Sequence, residues 1–392
     1  MQTAAPGDYD FDVIIAGAGP AGLLIASILP PRFRLLVIDR GLIGMTRKFW
    51  LTSVARLKKH DLDSCILHRT DRGSIGSFLG GLALATGDFA VVDEHCLLNR
   101  LVERCAEKGA AFVANADLRG VHWLGRRIVV STNQGQWRTR LMIDATGGSS
   151  PIAATFRLHR LDGFFSIYGG HIEKIRLHTQ DIIGAHVLRL GYPTPIFEVF
   201  PTSSSSAFVV VFLATRRLAR LDSMRACFDD HVRANPFFDC TSDTKEIEGK
   251  MGGIPIGRLR RKSLPGIFPF GEARLIQSPL IGGAFNETLE EAQHACQEIE
   301  RALDRGDGLA DVRFPVTNRK RFNDVLQRPL VRNLFKGTLE EYHRIVRLLE
   351  ELGPHASYRL FCSALTPPDL PRVTLAFARS RLWTLKATAS GS

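Results

Sequence analysis

Six residues near the amino terminus, Gly17-Ala18-Gly19-Pro20-Ala21-Gly22, constrain this chain more than any other segment. They follow the apolar, β-prone run Asp12-Val13-Ile14-Ile15-Ala16 and lead into Leu23-Leu24-Ile25-Ala26-Ser27-Ile28-Leu29, which reads as a buried helix. A second run, Arg34-Leu35-Leu36-Val37-Ile38, ends at Asp39, 22 residues after the first glycine. Strand, glycine turn, helix and acid-tipped strand make the βαβ unit that cradles a dinucleotide. Gly17 permits the tight turn, Gly19 lets the backbone approach a pyrophosphate, and Gly22 lets the helix lie close on the strand. The helix start, with Pro20 presetting its first turn and the N–H groups from Ala21 onward left free, offers donors to the phosphates. Asp39, with Arg40 beside it, is placed to meet the hydroxyls of an adenosine ribose.

Later segments narrow the dinucleotide. Short strand patterns at Ala111–Val113, around Val121, at Arg127–Ser131 and at Trp137–Leu141 lead into Leu141-Met142-Ile143-Asp144-Ala145-Thr146-Gly147. Gly266-Ile267-Phe268-Pro269-Phe270-Gly271-Glu272-Ala273 follows, then Ser278-Pro279-Leu280-Ile281-Gly282-Gly283-Ala284 and a helical pattern from Asn286 to Leu303. With Met251-Gly252-Gly253, this order resembles the FAD-dependent lycopene cyclase-like proteins, within the p-hydroxybenzoate hydroxylase-type flavoprotein superfamily. The resemblance runs from about Phe11 to Leu303.

The resemblance implies that the cofactor is FAD. Its adenosine and pyrophosphate side would be held by Gly17, Gly19, Pro20, Ala21, Gly22, Asp39, Arg40 and Leu118. Asp144, Ala145, Thr146 and Gly147 form the second signature, and Gly271 and Glu272 place an acid on the ribityl–pyrophosphate region. Pro279, Gly282, Gly283 and Ala284 would bring backbone amides to the isoalloxazine. The implied fold is α/β, or α+β overall: a Rossmann-like FAD-binding domain (residues 1–160 plus 250–305), an inserted antiparallel substrate sheet (161–249) and a mostly helical C-terminal region (306–392).

The departures from the family pattern bear on the reaction. Glu94 stands where the superfamily usually opens a helix with arginine, and Val209 and Val211 stand where lycopene cyclases carry paired acids. Valine donates no proton, which disfavours an ordinary cyclase mechanism. Asp144 is followed by Ala145 rather than by the glycine of the aromatic hydroxylases, and no halogenase W-x-W-x-I-P run is present. The favoured expectation is an FAD-dependent monooxygenase of secondary metabolism on a hydrophobic aromatic, polyketide-like or isoprenoid substrate, free or carried on a protein. The alternative is a non-redox cyclase or isomerase using reduced FAD. The chain has no second G-x-G-x-x-G run, so NAD(P)H would visit the flavin only transiently as electron donor.

No residue identifies itself as catalytic. Arg47 and Trp50 follow the second strand in a segment resembling the linker toward the flavin, while Glu198 and His171 lie on the expected substrate sheet as candidate acid or base and proton shuttle. Histidine spacing suits no metal. The seven cysteines form no C-x-x-C pair, so neither a disulfide framework nor a zinc site is expected, and the setting reads as cytoplasmic. The first twelve residues show no signal-peptide pattern. Lys plus Arg outnumber Asp plus Glu by 51 to 40, and the segment 301–392 alone holds 16 basic and 9 acidic residues. That basic region suggests peripheral contact with the inner membrane face. Nucleic acid is not expected, since no zinc-finger or RNA-recognition signature accompanies the charge.

Overall fold

The computed structural model describes residues 9–45, 49–188, 194–261, 264–305 and 316–389. Among these the strands form two sheets. The first is built on the amino-terminal βαβ unit: β1 (Phe11–Ala16), α1 (Pro20–Ile28) and β2 (Leu35–Ile38). β6 (Ala111–Val113) pairs parallel with β2, and β9 (Gln136–Asp144) pairs parallel with β1. β7 (Leu118–Leu124) and β8 (Arg127–Thr132) extend it antiparallel through the first half of β9, while β15 (Ile267–Pro269) pairs parallel with its last residues. Both faces are covered, as the continuous apolar runs require. Val13, Ile15, Val37 and Ile143 face α1, α3 (Glu94–Glu107) and α6 (Ala284–Asp304), while Ile14, Leu36, Ile38 and Met142 face the opposite side with Ile128, Val130 and Ile152 of α4 (Pro151–Thr155).

The second sheet holds β3 (Leu51–Ser53), β4 (Ile66–Ser77), β5 (Gly81–Val92), β10 (His159–Leu177), β11 (Ile182–His186), β12 (Ile196–Ser203), β13 (Ser206–Thr215) and β14 (Phe238–Leu259). Its order is β14-β10-β13-β12-β11-β4-β5-β3. The strands β3, β4 and β5, expected within the FAD-binding part, therefore join this sheet, and so does 250–259, while Leu57, Leu62 and Cys65 between β3 and β4 pack in the core of the first lobe. The reason is a parallel pairing of β4 with β11, Gly73 to Ile182 and Gly76 to His186, which local sequence cannot show. The sheet is thus mixed rather than antiparallel throughout. β11 ends at His186.

One face of this sheet lies under the C-terminal helices α7 (Asn318–Leu334), α8 (Leu339–Leu352), α9 (Pro354–Phe361) and α10 (Leu370–Ala389). Of these, α8 is amphipathic. Thr338 caps it by accepting from the Glu341 amide, and Tyr342, Ile345, Val346 and Leu349 are buried. Each fully buried aliphatic side chain contributes roughly 1.5–3 kcal/mol. The other face packs Phe197, Val199, Val209 and Val211 against Met224 and Phe228 of α5 (Leu221–Arg233). Between the lobes, α2 (Val54–Lys58) carries Arg56, which is buried and pairs with Glu290 of α6 at 2.9 Å. No helix among the described residues is long and apolar enough to cross a membrane.

Against expectation, Cys65 and Cys96 form a disulfide, their Cα atoms 5.4 Å apart. Thirty-one residues separate them in the chain. The fold joins them because Asp93, which caps α3, donates its amide to the Cys65 carbonyl at 2.8 Å.

At the end of β11, His186 fills the space left by the missing side chain of Gly76 and meets Phe237 edge-on with centroids 4.8 Å apart. Burial pushes its pKa from 6.5 down to about 4. Between these values the unfolded chain binds a proton that the folded chain refuses, so stability falls as pH is lowered from 6.5 toward 4, by about 3 kcal/mol in all. Urea midpoints at pH 7, 5.5 and 4.5 should show this loss in the wild type. His186→Gln should flatten that share of the profile, and parallel profiles for the two proteins would refute it.

Candidate functional site

The glycine turn lies between β1 and α1. Gly17 has φ +106°, and a Cβ there would stand 2.3 Å from the Ala145 carbonyl oxygen; one on Gly22 would stand 1.9 Å from the Gly17 oxygen. These two glycines let three backbone segments touch. Gly19 differs, since a Cβ there would meet nothing within 4 Å. It is the residue preceding α1, with Pro20 first in the helix and no side-chain cap. The first-turn amides of Ala21 and Gly22 therefore border open space, where the helix dipole favours an anion.

Asp39 is fixed at the same edge. Its carboxylate accepts from the Ala18 amide and the Gly41 amide, both at 2.7 Å, and its remaining lone pairs can take ribose hydroxyls. Arg40 beside it is exposed. Leu118 begins β7 opposite Thr132 and packs its side chain on the lower core, so it contributes to the floor.

The Asp144–Gly147 loop plays a different part from the one expected of its acid. Asp144 is fully buried and turned inward, its carboxylate accepting from the Thr146 amide (3.2 Å), the Thr146 hydroxyl (2.6 Å) and the Ser150 hydroxyl (2.6 Å). Burial raises its pKa, against these three bonds. Asp144 thus braces Ala145, Thr146 and Gly147 and does not itself face the crevice. Glu272 stands across from the loop, its Oε2 accepting from the Gly148 amide at 3.3 Å, and Gly271 takes φ +61° to place it.

Beyond Pro279, Gly282 turns with φ +69°, Gly283 precedes α6 without a side-chain cap, and Ala284 opens that helix. The Asn286 Oδ1 in the first turn of α6 and the Thr52 Oγ1 on β3, which packs against that helix, are buried with no partner among the described residues. An open cradle at Gly19, two uncapped helix starts and orphaned polar atoms fit a dinucleotide such as FAD laid from Asp39 toward α6.

Trp50 and Phe49 join this cradle to the second sheet. Trp50 is buried and stacks on Phe285 of α6 at 5.0 Å, while Phe49 stacks on Phe208 at 4.4 Å and leans on Phe200 at 5.0 Å. Arg47 lies outside the described residues. On the sheet, the register aligns Gly169, Val210 and Glu198 in one row, flanked by Ile167, Phe212 and Ile196 on one side and His171, Phe208 and Phe200 on the other. Alternation turns Ile196, Glu198 and Phe200 to the same face.

Glu198 is the one acid in these three rows, and it makes no hydrogen bond to any described residue. Burial raises its pKa well above the ordinary carboxylate range. Tyr342 of α8 stands near it, its hydroxyl donating to the Ala185 carbonyl at 2.8 Å. Burial and the Glu198 charge push that phenol upward as well. His171 does not join Glu198: its Nε2 lies 2.9 Å from the Thr202 hydroxyl at the β12–β13 turn. Tyr342 was legible only as the core face of a helix, and nothing in the sequence tied it to Glu198. A cleft of about 570 Å³ lined by Phe78, Leu82, His186 and Phe237 opens beside the α5 end of the sheet, apart from the cradle.

A family model described as lycopene cyclase protein matches residues 12–384. Digeranylgeranylglycerophospholipid reductase 2 of Methanopyrus kandleri is 24% identical over 324 residues, covering 77% of this chain and 80% of that protein. Among solved structures, a geranylgeranyl bacteriochlorophyll reductase-like protein of Thermoplasma acidophilum superposes with TM-score 0.68 at 15% identity, covering 97% of this chain and 98% of the other. Halogenase PltM, captured with phloroglucinol and FAD, gives 0.69 at 12%, covering 97% and 93%.

The two kinds of glycine predict separable effects. Gly19→Ala should leave unfolding of the cofactor-free protein within about 0.5 kcal/mol of wild type, since its φ of −79° suits alanine, while lowering FAD retention after purification. Gly22→Ala should lower both, because its Cβ meets backbone. Full FAD retention in Gly19→Ala, read from the flavin-to-protein absorbance ratio, would refute the cradle.

Proposed function

Because the chain belongs to the lycopene cyclase family, whose fold here is that of FAD-dependent oxidoreductases, we propose that it is an FAD-dependent oxidoreductase acting on a hydrophobic, isoprenoid-like substrate, with Glu198 as proton donor. One observation carries this reading: a carboxyl with no hydrogen-bond partner among the described residues, set between Val210, Ile196, Phe200, Phe208 and Phe212 on the sheet face. Burial favours its protonated form, the form that has a proton to give. The names of the two reductase-type relatives point to isoprenoid chains, which offer carbon–carbon double bonds and little else to protonate.

The surrounding residues fit that task. Val210 across the strand pair and Ile196 and Phe200 beside Glu198 exclude water, so a carbon bearing positive charge meets no competing nucleophile. The ring faces of Phe49, Phe200 and Phe208 can stabilise such a charge. Tyr342, committed to the Ala185 carbonyl, holds its position above Glu198. Gly19, Ala21, Gly22 and Asp39 would hold the adenosine and phosphates of FAD, and Gly282 to Ala284 its ring. Bound FAD supplies the redox equivalents.

A second reading is monooxygenation of an aromatic substrate. It is favoured by the stacked phenylalanines and by the phloroglucinol complex of the halogenase relative. A third, cyclisation without net redox change, shares the proton step with the first.

Product mass separates the three. Reduced holoprotein, mixed with isoprenoid polyenes and with phenols in deuterated water, should yield a product two hydrogens richer than its substrate, carrying deuterium at carbon. Glu198→Gln should slow its formation by about 100-fold or more while leaving FAD content unchanged. An oxygenated product indifferent to Glu198→Gln would overturn this reading in favour of the second. A deuterated product with no gain of hydrogens would favour cyclisation.

A further inference from the structure

The starts of β10 and the ends of β14 and α4 enclose a recess of about 340 Å³ lined by Thr155, Phe156, Arg157, Arg260 and Arg261. Arg160 and Arg258 face each other in register alongside it. The guanidinium groups of these five arginines make no hydrogen bond or ion pair with any described residue. Asp162, two residues from Arg160, is engaged by Arg328 at 3.7 Å instead. A structural surface would intersperse acids here, since like charges so close repel. Five uncompensated cations instead raise a local positive potential that a multiply charged anion relieves.

The other features of the recess describe that anion. Arginine presents a planar fork of donors that matches phosphate two bonds at a time. Arg157 holds φ +50°, a left-handed conformation that costs a non-glycine residue roughly 1–2 kcal/mol and where glycine or asparagine would end the helix unstrained. Phe156 lines the same recess, its ring braced edge-on by Trp123 at 5.4 Å. An aromatic surface among phosphate-binding forks suits a phosphorylated nucleoside better than inorganic phosphate alone, and the Thr155 hydroxyl can serve its ribose.

The recess is also tied rigidly to the cofactor crevice. α4 begins where Ser150 bonds Asp144, and the His159 ring bonds the carbonyl of Ala273, beside Glu272, at 2.8 Å. From the Ser150 bond α4 leads to Phe156 beside Trp123 of β7, so the recess lies beyond the Asp144 loop on the β7 side of the sheet.

We infer that this recess binds the phosphate-bearing adenosine end of a nicotinamide dinucleotide phosphate, with Arg157, Arg260 and Arg261 on the phosphates and Phe156 against the base. The inference rests on the reading of the chain as an FAD-dependent oxidoreductase, which needs an electron donor, and it explains how a donor docks without a second glycine-rich turn.

Calorimetric titration of the FAD-loaded protein with adenosine 2′,5′-bisphosphate, AMP and inorganic pyrophosphate at one fixed salt concentration tests it. The bisphosphate should bind at least about tenfold more tightly than pyrophosphate. Arg260→Gln and Arg261→Gln, both at exposed positions, should each weaken it by about tenfold or more with unchanged melting temperature and FAD content. Equal affinity for pyrophosphate would mean an unspecific basic surface, and undiminished binding in both variants would mean a site elsewhere; either overturns the proposal, as does no binding at all. Anaerobic reduction of bound FAD by NADPH is read separately. Reduction at wild-type rates in the Arg260→Gln, Arg261→Gln double variant overturns the recess and leaves the oxidoreductase reading standing. Bisphosphate binding lost in the variants, with no reduction by NADPH in the wild type, supports the recess and counts against that reading.

Discussion

Everything at the cofactor end depends on one close backbone contact. The Gly17 Cα lies so near the Ala145 carbonyl that any side chain there would overlap it, and Gly22 lies equally near Gly17. Through these contacts β1, α1 and the loop after β9 become one rigid piece, which leaves Gly19 facing open space. Asp144 secures the same loop from below with bonds to Thr146 and Ser150. An acid buried to this extent is stable only because every oxygen finds a donor. The crevice is thus defined by residues that never face it.

The opposite logic applies to Glu198. Its carboxyl is set among valine and phenylalanine with no donor among the described residues, and burial shifts it toward the neutral acid. Natural sheets seldom accept such a position, and departures of this kind gather where chemistry is done. The Phe49–Trp50 pair spans the distance from the cradle to this face, one ring on each lobe. That arrangement keeps the acid's surroundings apolar while anchoring them to the helix that begins at Ala284.

What the sequence shows well is local. The glycine turn, Asp39 and the amphipathic helix 339–352 each depend on neighbours within a turn or two, and the structure forms them where periodicity places them. What it hides is pairing between distant segments. β4 and β11 carry ordinary strand patterns and no mark that they run side by side, so β4 and β5 read as part of the FAD-binding lobe rather than of the second sheet. Cys65 and Cys96 likewise meet only because a capping turn folds one toward the other. The inward turn of Asp144 and the isolation of Glu198 are matters of orientation, and one-letter patterns do not encode orientation. Valines 209 and 211 were read as the loss of an acid, yet a carboxyl stands on the adjacent strand directly across from Val210.

The parallel pairing of β4 with β11 also sets an order of events in the life of the chain. As the polypeptide leaves the ribosome, the hairpin of β4 and β5 ends at Val92, 90 residues ahead of Ile182, where the strand that completes its edge begins. Meanwhile β1, α1 and β2 already hold neighbours for one another, though β9 arrives only later between them and β8. The hairpin, carrying Phe78, Leu79, Leu82 and Leu84 outward, must wait with an open edge until Ile182–His186 is made. Contacts this far apart in sequence form slowly, and an unpaired apolar edge invites association with other chains. Until β11 is made, the outer edge of β4 has no strand to pair with.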